Sequence, residues 1–324
     1  MQRLKSILVI ADPTDGQNVV FERAAGLALR SRAKLTVALL VESPPDADAR
    51  VAARYSADRC EMRIQEMMAQ DNSRRLETLI EPLREAGVEV QNRILWGTPF
   101  QEIIRDVLRN RHDLVMMPAD GETGLTSALF GSVCVQLMRK CPCPVWAIKL
   151  PHRKFYARIL AAVDPHPSDR ERNALNVKII ELAASLAQVE QSELYIVHTW
   201  NPSRTAKLGS RLSRGDMDHM VSDLEQQHSY WLEELLRECS LDNTRHQAHL
   251  LQGGAAELIP AMAKKKKVDI IVMGMVCRTG VAGFFIGNTA EKVLRQVDCS
   301  VVTIKSDTFV TPVKIDELAP ACAA

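Results

Sequence analysis

The feature that most constrains the fold of this chain is an internal repeat. The segment DLVMMPADGETGLTSALFGSVCVQLMRKCPCPVWAIK, which starts at Asp113, returns without a gap as DIIVMGMVCRTGVAGFFIGNTAEKVLRQVDCSVVTIK from Asp269. Near the start of each half, SILVIADP at Ser6 returns as RILAAVDP at Arg158. The offset is 156 residues for the first pair and 152 for the second, as expected when an insertion falls in a loop. Two copies of one domain are therefore predicted within the 324 residues.

Each copy alternates apolar runs of strand length with helical patterns. The predicted strands lie at about 6–11, 34–41, 88–95, 113–117 and 144–149, and at about 158–163, 193–199, 246–251, 269–273 and 300–304. The predicted helices lie at about 17–31, 55–86, 99–110 and 131–140, and at about 169–188, 216–239, 255–266 and 287–297. Continuous Val, Ile and Leu runs are typical of strands buried on both faces. The prediction is therefore an α/β fold with a doubly wound parallel sheet in each copy.

The repeat also sets the expected domain limits. The first domain is predicted at residues 1–150 and the second at 158–305, with LPHRKFYA as the join between them. Residues 306–324 have no counterpart in the repeat and form a C-terminal tail. We expect this tail to pack along the surface or to be partly loose.

Charge and cysteine content limit the class of protein. With 41 Lys and Arg against 40 Asp and Glu, the net charge of +1 gives no electrostatic case for direct nucleic-acid binding. No apolar run is long enough to span a bilayer, and the first one, in MQRLKSILVIADP, is typical of a strand rather than a signal peptide. The eight cysteines form neither a disulfide framework nor zinc-type pairs. A reducing cytoplasm is the expected compartment, and no metal is expected.

The ends of the predicted strands indicate where a ligand could bind. In doubly wound sheets, ligands bind beyond the carboxyl ends of the strands, where the strand order switches. A glycine-containing loop after the fourth strand of each copy leads into a helix, whose start presents free backbone N–H groups to an anion. The residues expected at this edge are Asp12, Leu40 and Gly131 in the first copy, and Asp164, Thr199 and Gly287 in the second.

The glycine spacing resembles the nucleotide motif G-x2-G-x9-G-[ST] of the universal stress protein family. Supporting matches are the DP that ends each first strand, the VMG of the second copy and the CPCPVWAIK that closes the first. The resemblance covers about residues 4–305, as two tandem domains of the family. It implies two five-stranded sheets of strand order 3-2-1-4-5, of the adenine nucleotide alpha hydrolase-like type. It also implies a role in survival under stress, including resistance to DNA damage.

The same resemblance implies ATP or another adenine nucleotide as the ligand, but neither copy has the complete motif. The first copy has Pro118 in place of the first glycine, and proline lacks the backbone N–H that a phosphate would need. The second copy has Cys277 in place of the second glycine. Its motif is partly retained, whereas the motif of the first copy is degenerate.

The site that the resemblance implies can be written for each domain. In the second domain Asp164 would hold the ribose or adenine, with the backbones of Thr199 and Met273 beside the base. The phosphates would lie against Gly274, Gly287, Asn288 and Thr289. In the first domain the corresponding set is Asp12, Leu40, Gly121, Gly131 and Ser132.

Simpler structural roles compete with ligand binding at several of these positions. Asp12 and Asp164 precede proline, and Asp-Pro is a common turn starter. Gly274 and Gly287 could serve the strand-to-helix geometry without any ligand. Both interpretations stay open at the level of the sequence.

Four other features allow two interpretations each. The KKKK run at 264–267 could attract anions or complement the dipole at a helix C-terminus. His198 is expected as a satisfied core histidine rather than a ligand, and the C-x-C at 141–143 as a buried turn rather than part of a metal site. The two phenylalanines at 284–285 could form an apolar-ligand surface or a packed lid.

No catalytic set is visible in the sequence. A nucleophile with a base is not evident and the Walker lysine is missing, so the chain is predicted not to be an enzyme. The favoured hypothesis is a cytoplasmic stress-response protein. The alternatives are an adenine-nucleotide switch acting through the second domain, and an apolar-ligand or lipid-precursor binding protein. By resemblance, the segments PVWAIK and SVVTIK would pair in an internal pseudo-dimer of the two domains, and a homodimer of two chains is left open.

Overall fold

Residues 4–11, 18–41, 58–119, 130–149, 155–202, 214–275, 277–278, 285–286 and 288–315 are the part of the chain that the computed structural model describes. The N-terminal half contains β1 (Ser6–Ala11), α1 (Asn18–Ser31), β2 (Lys34–Val41), α2 (Asp58–Glu85), β3 (Val90–Trp96), α3 (Pro99–Asn110), β4 (Leu114–Pro118), α4 (Ser132–Lys140) and β5 (Val145–Ile148). The C-terminal half contains β6 (Arg158–Val163), α5 (Arg170–Glu190), β7 (Glu193–Trp200), α6 (Arg214–Glu238), β8 (His246–Gln252), α7 (Ala255–Lys266), β9 (Ile270–Gly274), β10 (Cys277–Arg278), β11 (Phe285–Ile286), α8 (Asn288–Leu294) and β12 (Ser300–Ile304).

Both halves have the predicted strand order. The N-terminal half has the order β3-β2-β1-β4-β5 and the C-terminal half the order β8-β7-β6-β9-β12, which is 3-2-1-4-5 when counted along each half. The inner strands pair in parallel, with Ile7 opposite Leu35 and Ile159 opposite Leu194. Four of the five residues of β4 and of β9 are buried, because apolar side chains occupy both faces of these strands. The predicted α/β fold is confirmed, with a doubly wound set of five strands in each half; β5 and β12, the last strands of the two sets, are neighbours in the sheet.

The second glycine loop contains two short strands that the sequence did not predict. β10 and β11 pair in an antiparallel register, with Cys277 opposite Ile286 and Arg278 opposite Phe285. Each strand is two residues long, which is too short for an alternating pattern to be recognised. The helix that follows, α8, ends at Leu294 rather than near residue 297 as predicted.

The described residues form two compact units. One unit contains the elements from β1 to α4 together with residues 310–315. The other contains the elements from β6 to β12, Phe130 and the residues of β5 from Trp146 onward, and in it β5 lies beside β12. The end of the first repeat is therefore part of the C-terminal unit.

One carboxylate in each half joins the start of the first strand to the fourth strand. Asp113 Oδ2 accepts hydrogen bonds from the backbone N–H groups of Lys5 and Ser6, at 2.7 and 2.9 Å. Asp269 Oδ2 accepts hydrogen bonds from the backbone N–H groups of Arg158 and the preceding residue, at 2.9 and 2.7 Å. Asp113 and Asp269 are the residues with which the repeated segment begins, so the repeat extends to individual hydrogen bonds.

The start of the C-terminal tail contacts helix α5. Lys178 forms an ion pair with Asp307, and Thr308 donates a hydrogen bond to the Glu171 carboxylate. Of the two expectations for the tail, packing along the surface is therefore observed at Asp307 and Thr308. Residues 316–324 of the predicted tail lie outside the described residues.

Candidate functional site

The carboxyl ends of three parallel strands bring four of the predicted residues to one edge of the C-terminal sheet. The register of β6 with β7 places Asp164 and Thr199 immediately after the last paired residues of these two neighbours. On the other side of β6, β9 ends with Met273 and Gly274. This edge is where a doubly wound sheet holds its ligands.

Asp164 presents its carboxylate to solvent at this edge. Its side chain is 63% exposed, and Oδ2 lies 3.5 Å from Nη2 of Arg172. Its backbone N–H donates to Oδ1 of Asn176 at 3.0 Å, which holds the chain as it leaves β6. The helix that follows is capped by Asp169, whose Oδ1 accepts from the N–H of Arg172 at 3.0 Å. The carboxylate of Asp164 is therefore accessible to a ligand.

Two buried nitrogen atoms near Asp164 have no hydrogen-bond partner among the described residues. They are Nδ2 of Asn176, a residue that is 3% exposed, and Nδ1 of His166. An unpaired buried polar group costs about 1–3 kcal/mol, so such groups usually bind water or a ligand. Asn176 is not among the residues that the sequence predicted for this site. Its signal is a polar residue within the apolar stripe of α5, in NALNVKIIELAASLA.

A histidine and tryptophan cluster packs behind the same strand ends. His198, on β7, is fully buried, with Nδ1 3.3 Å from the Val163 carbonyl oxygen and Nε2 2.8 Å from Nδ1 of His228. The ring of Trp200 stacks on His228 at 5.7 Å between centroids, and Trp231 meets His228 edge-on at 4.8 Å. His198 is thus a satisfied core histidine, as the sequence predicted.

Burial keeps the imidazoles of this cluster neutral near pH 7. Burial lowers the pKa of His198 to about 4, although the Asp164 carboxylate opposes the shift. Burial also lowers the pKa of His228, again against the effect of Asp164. In the neutral pair, Nδ1–H of His198 donates to the Val163 carbonyl, so Nε2 of His198 accepts from Nδ1–H of His228.

Gly274 has a packing role that needs no ligand. A Cβ atom at this position would lie 3.0 Å from Cδ2 of Leu175 and 3.3 Å from Cδ1 of Ile179, both on α5. Contacts this short force the neighbouring side chains to move. Of the two interpretations of this glycine, the observed contacts favour the one based on strand and helix geometry.

Replacing Gly274 by valine is expected to destabilise the ligand-free protein by about 1–3 kcal/mol, because the new side chain overpacks the β9–α5 interface. Urea denaturation followed by circular dichroism measures the change. Gly26→Ala serves as the control, since its Cβ would meet the flexible end of Arg30 at 3.4 Å. Unchanged stability of Gly274→Val would show that this glycine has no packing role.

The remaining predicted residues are only partly described. In the second domain Thr289 is exposed, the backbone of Asn288 starts α8, and Gly287 lies outside the described residues. In the first domain Leu40 is half-buried on β2 and Ser132 is exposed at the start of α4. The backbone N–H of Gly131 donates to the Ala119 carbonyl at 2.8 Å, so this donor is not open to an anion. Asp12 and Gly121 also lie outside the described residues.

Comparison with known proteins identifies the family. The sequence profile of the Universal stress protein family matches residues 3–149 and again residues 155–305. The chain belongs to the universal stress protein family. It is 32% identical to Universal stress protein E of Salmonella typhi over 235 residues, which are 72% of this chain and 74% of that protein. It is 26% identical to the Universal stress protein E homolog of Haemophilus influenzae over 308 residues, which are 94% and 98% of the two chains.

A solved structure from Pseudomonas aeruginosa has the same fold. It aligns with a TM-score of 0.66 and 25% identity, over 94% of this chain and 95% of that one. The RTG and GNTAE segments and the TPV of the tail predict a likeness to the universal stress protein E group, which the relatives confirm. Two universal stress protein domains in one chain fit an internal pseudo-dimer.

Other features noted in the sequence have the following environments. The Sγ atoms of Cys141 and Cys143 lie 3.5 Å apart in the turn before β5, and within the described ranges no group of three or more potential metal ligands is found. Lys264–Lys266 form the last turn of α7. Phe284, which motivated the apolar-ligand alternative, lies outside the described residues.

Across the helices that the structure describes, none is both long and apolar enough to cross a membrane.

Proposed function

We propose that this chain is a non-enzymatic, cytoplasmic stress-response protein that supports survival under stress, including DNA damage. The observation that carries the proposal is the pair of universal stress protein domains, shared in tandem with relatives named Universal stress protein E.

A survival assay tests this proposal directly. A strain lacking the gene should form fewer colonies than wild type after ultraviolet irradiation, and a plasmid copy of the gene should restore the number. A strain with unchanged survival under ultraviolet light, oxidants and starvation would contradict the stress role.

A second candidate function is an adenine-nucleotide switch in the second domain. It is favoured by the exposed Asp164 carboxylate beside two buried nitrogen atoms that lack partners among the described residues. In this proposal Asp164 binds the ribose or adenine, and the backbones of Thr199 and Met273 lie beside the base. The phosphates bind at Gly274, Gly287, Asn288 and Thr289, where the start of α8 supplies backbone N–H groups.

Replacing Asp164 by alanine is expected to abolish stabilisation by ATP. At about 100 times the dissociation constant, a ligand stabilises the folded state by about 2.7 kcal/mol, which raises the melting temperature of a domain of this size by about 5 °C or more. Thermal denaturation with and without ATP measures this shift. Asp223→Ala removes an equally charged, exposed carboxylate from α6 and should keep the full shift.

The identity of the nucleotide follows from what the protein carries when purified. Denaturing the protein and analysing the released small molecules by mass spectrometry should detect an adenine nucleotide in wild type, and less of it in Asp164→Ala. If no nucleotide is released and ATP causes no thermal shift, the switch hypothesis fails while the stress role still stands.

A further inference from the structure

A basic cavity opens at the opposite end of the C-terminal sheet from Asp164. It has a volume of about 270 Å³ and is lined by Arg158, Tyr195, Lys265, Lys266 and Lys267. Arg158 and Tyr195 come from the amino-terminal parts of β6 and β7, whereas the lysines come from the end of α7 and the residue after it. The four cations and one tyrosine are hereafter called the basic cavity.

Within the described ranges, no carboxylate partner is found for the lysines of the basic cavity. No ion pair joins Lys265, Lys266 or Lys267 to Asp or Glu in the described part of the chain, and Lys265 and Lys267 are exposed. The ammonium group of Lys266 lies over the ring of Tyr195, 4.8 Å from its centroid. Burial lowers the pKa of His249, and the positive charge of the same ammonium group lowers it further.

A carboxylate beside the cavity, that of Glu193, is already engaged. Glu193 Oε2 accepts from the Tyr195 hydroxyl at 2.6 Å and lies 4.0 Å from Nε of Arg158. Glu193 Oε1 accepts from Nε2 of Gln247 at 3.0 Å. Glu193 contributes one negative charge against the four positive charges that line the cavity, so the groups around the cavity keep a net positive charge.

The first domain balances the equivalent corner with a buried acid. There Asp106 binds Nε2 of His112 at 3.0 Å and Nδ2 of Asn110 at 2.8 Å, with Nη1 of Arg93 at 3.6 Å. With the 156-residue offset of the repeat, the position of Asp106 is occupied by Met262 in the second domain. The second domain thus has an apolar residue where the first has this buried acid.

Helix capping does not account for this concentration of charge. Cations near a helix C-terminus contribute about 0.3–1 kcal/mol each, and their effect is confined to the last turn. Arg158 lies on β6 and not on the helix, yet it lines the same cavity as the lysines. The cavity is also slightly smaller than the pockets of about 300–1,000 Å³ that enclose drug-sized ligands, so it suits a compact ligand.

We propose that the basic cavity binds a compact chain of linked phosphates through Arg158, Lys265, Lys266 and Lys267. Ammonium groups are strongly hydrated point charges that suit phosphate oxygens, and a guanidinium group can bind two phosphate oxygens at once. The four cations and the Glu193 carboxylate together leave three positive charges. A single phosphate supplies at most about two negative charges, whereas linked phosphates supply more. The ligand is either a free polyphosphate or the phosphate tail of a larger molecule.

Calorimetric titration with inorganic tripolyphosphate tests the proposal. The double variant Lys265→Gln/Lys267→Gln should bind tripolyphosphate about tenfold more weakly or worse, because two charge-assisted contacts are lost. Both side chains are exposed, and glutamine is tolerated in the left-handed conformation of Lys267, since Gln191 has the same conformation at the end of α5. Glu193→Gln should instead strengthen binding, because it removes the negative charge beside the cavity.

The first domain supplies the matched control. Arg109 and Arg111 occupy the positions equivalent to Lys265 and Lys267 at the end of α3, and both are exposed. Arg109→Gln/Arg111→Gln should bind tripolyphosphate as wild type does. Equal weakening by both double variants, or equal binding of sulfate at the same ionic strength, would overturn the proposal in favour of general attraction to basic residues. Tighter binding of single-stranded DNA than of tripolyphosphate would overturn it in favour of a nucleic-acid surface.

Two further titrations distinguish a free polyphosphate from the phosphate tail of a larger molecule, and the basic cavity from the nucleotide site. Thr289→Asp adds a negative charge where the nucleotide phosphates are proposed to bind, and it should leave the affinity for tripolyphosphate unchanged, since the basic cavity lies at the other end of the sheet. If ATP displaces tripolyphosphate from this variant and AMP does not, the ligand is the phosphate tail of a larger molecule. If neither displaces it, the ligand is a free polyphosphate. Loss of tripolyphosphate binding in Thr289→Asp would place the anion at the nucleotide site and overturn the separate cavity.

Discussion

Replacing Trp146 by aspartate is expected to lower the free energy of unfolding of the C-terminal unit by roughly 4 kcal/mol or more. Trp146 is 3% exposed on β5, and its ring lies 6.0 Å from that of Tyr156. Tyr156 in turn donates a hydrogen bond to Oγ of Ser300, the first residue of β12, at 2.9 Å. The substitution removes a large apolar ring and leaves a buried carboxylate without a counter-ion. Because β5 lies beside β12, the loss should appear in the C-terminal unit.

Trp146→Phe separates the effect of charge from the effect of the ring. Nε1 of Trp146 is buried without a hydrogen-bond partner among the described residues, so replacement by phenylalanine removes this donor without breaking a hydrogen bond to them. This variant should lose less than half as much stability as Trp146→Asp in urea denaturation followed by far-ultraviolet circular dichroism. An aspartate variant as stable as wild type would argue against the pairing of β5 with β12 and against the internal pseudo-dimer.

The sequence predicted the sheets because two kinds of evidence agreed. Val, Ile and Leu runs marked each buried strand, and the gap-free repeat from Asp113 and Asp269 aligned the last strands of both halves. The pattern and length of an apolar run are enough to predict strands such as β9, with its run IIVMG. They do not suffice for β10 and β11, whose two-residue pairing depends on contacts across the loop rather than on local pattern.

The candidate site was less predictable than the fold. Strand-end positions such as Asp164 follow from topology, because parallel strands end at a common edge. The role of Asn176 depends on a helix placed over that edge, and its hydrogen bond joins residues 12 positions apart. Gly274, in contrast, was predicted as a site residue, but its role could not be read from the sequence. Its residue type fits both a phosphate site and a helix contact, and it took the distances to Leu175 and Ile179 to favour the contact.

Acidification is expected to destabilise the C-terminal unit through His198. Burial lowers the pKa of this imidazole to about 4 in the folded protein, against about 6.5 in the unfolded chain. Between these two values the unfolded state binds more protons than the folded state, so stability falls as the pH falls. The full contribution is present above pH 6.5, and roughly 3 kcal/mol is lost by pH 4.

His198→Leu should flatten this pH dependence, since leucine does not titrate and Leu39 occupies the equivalent strand position in the first domain. The variant also deprives His228 of its 2.8 Å partner, so its absolute stability falls and the slope between pH 4 and 6.5 is the quantity to compare. Urea denaturation across this range gives the slope, and His246→Leu controls for the loss of an exposed imidazole. An equal slope in wild type and His198→Leu would mean that His198 takes up its proton without unfolding, which its complete burial against the Val163 carbonyl argues against.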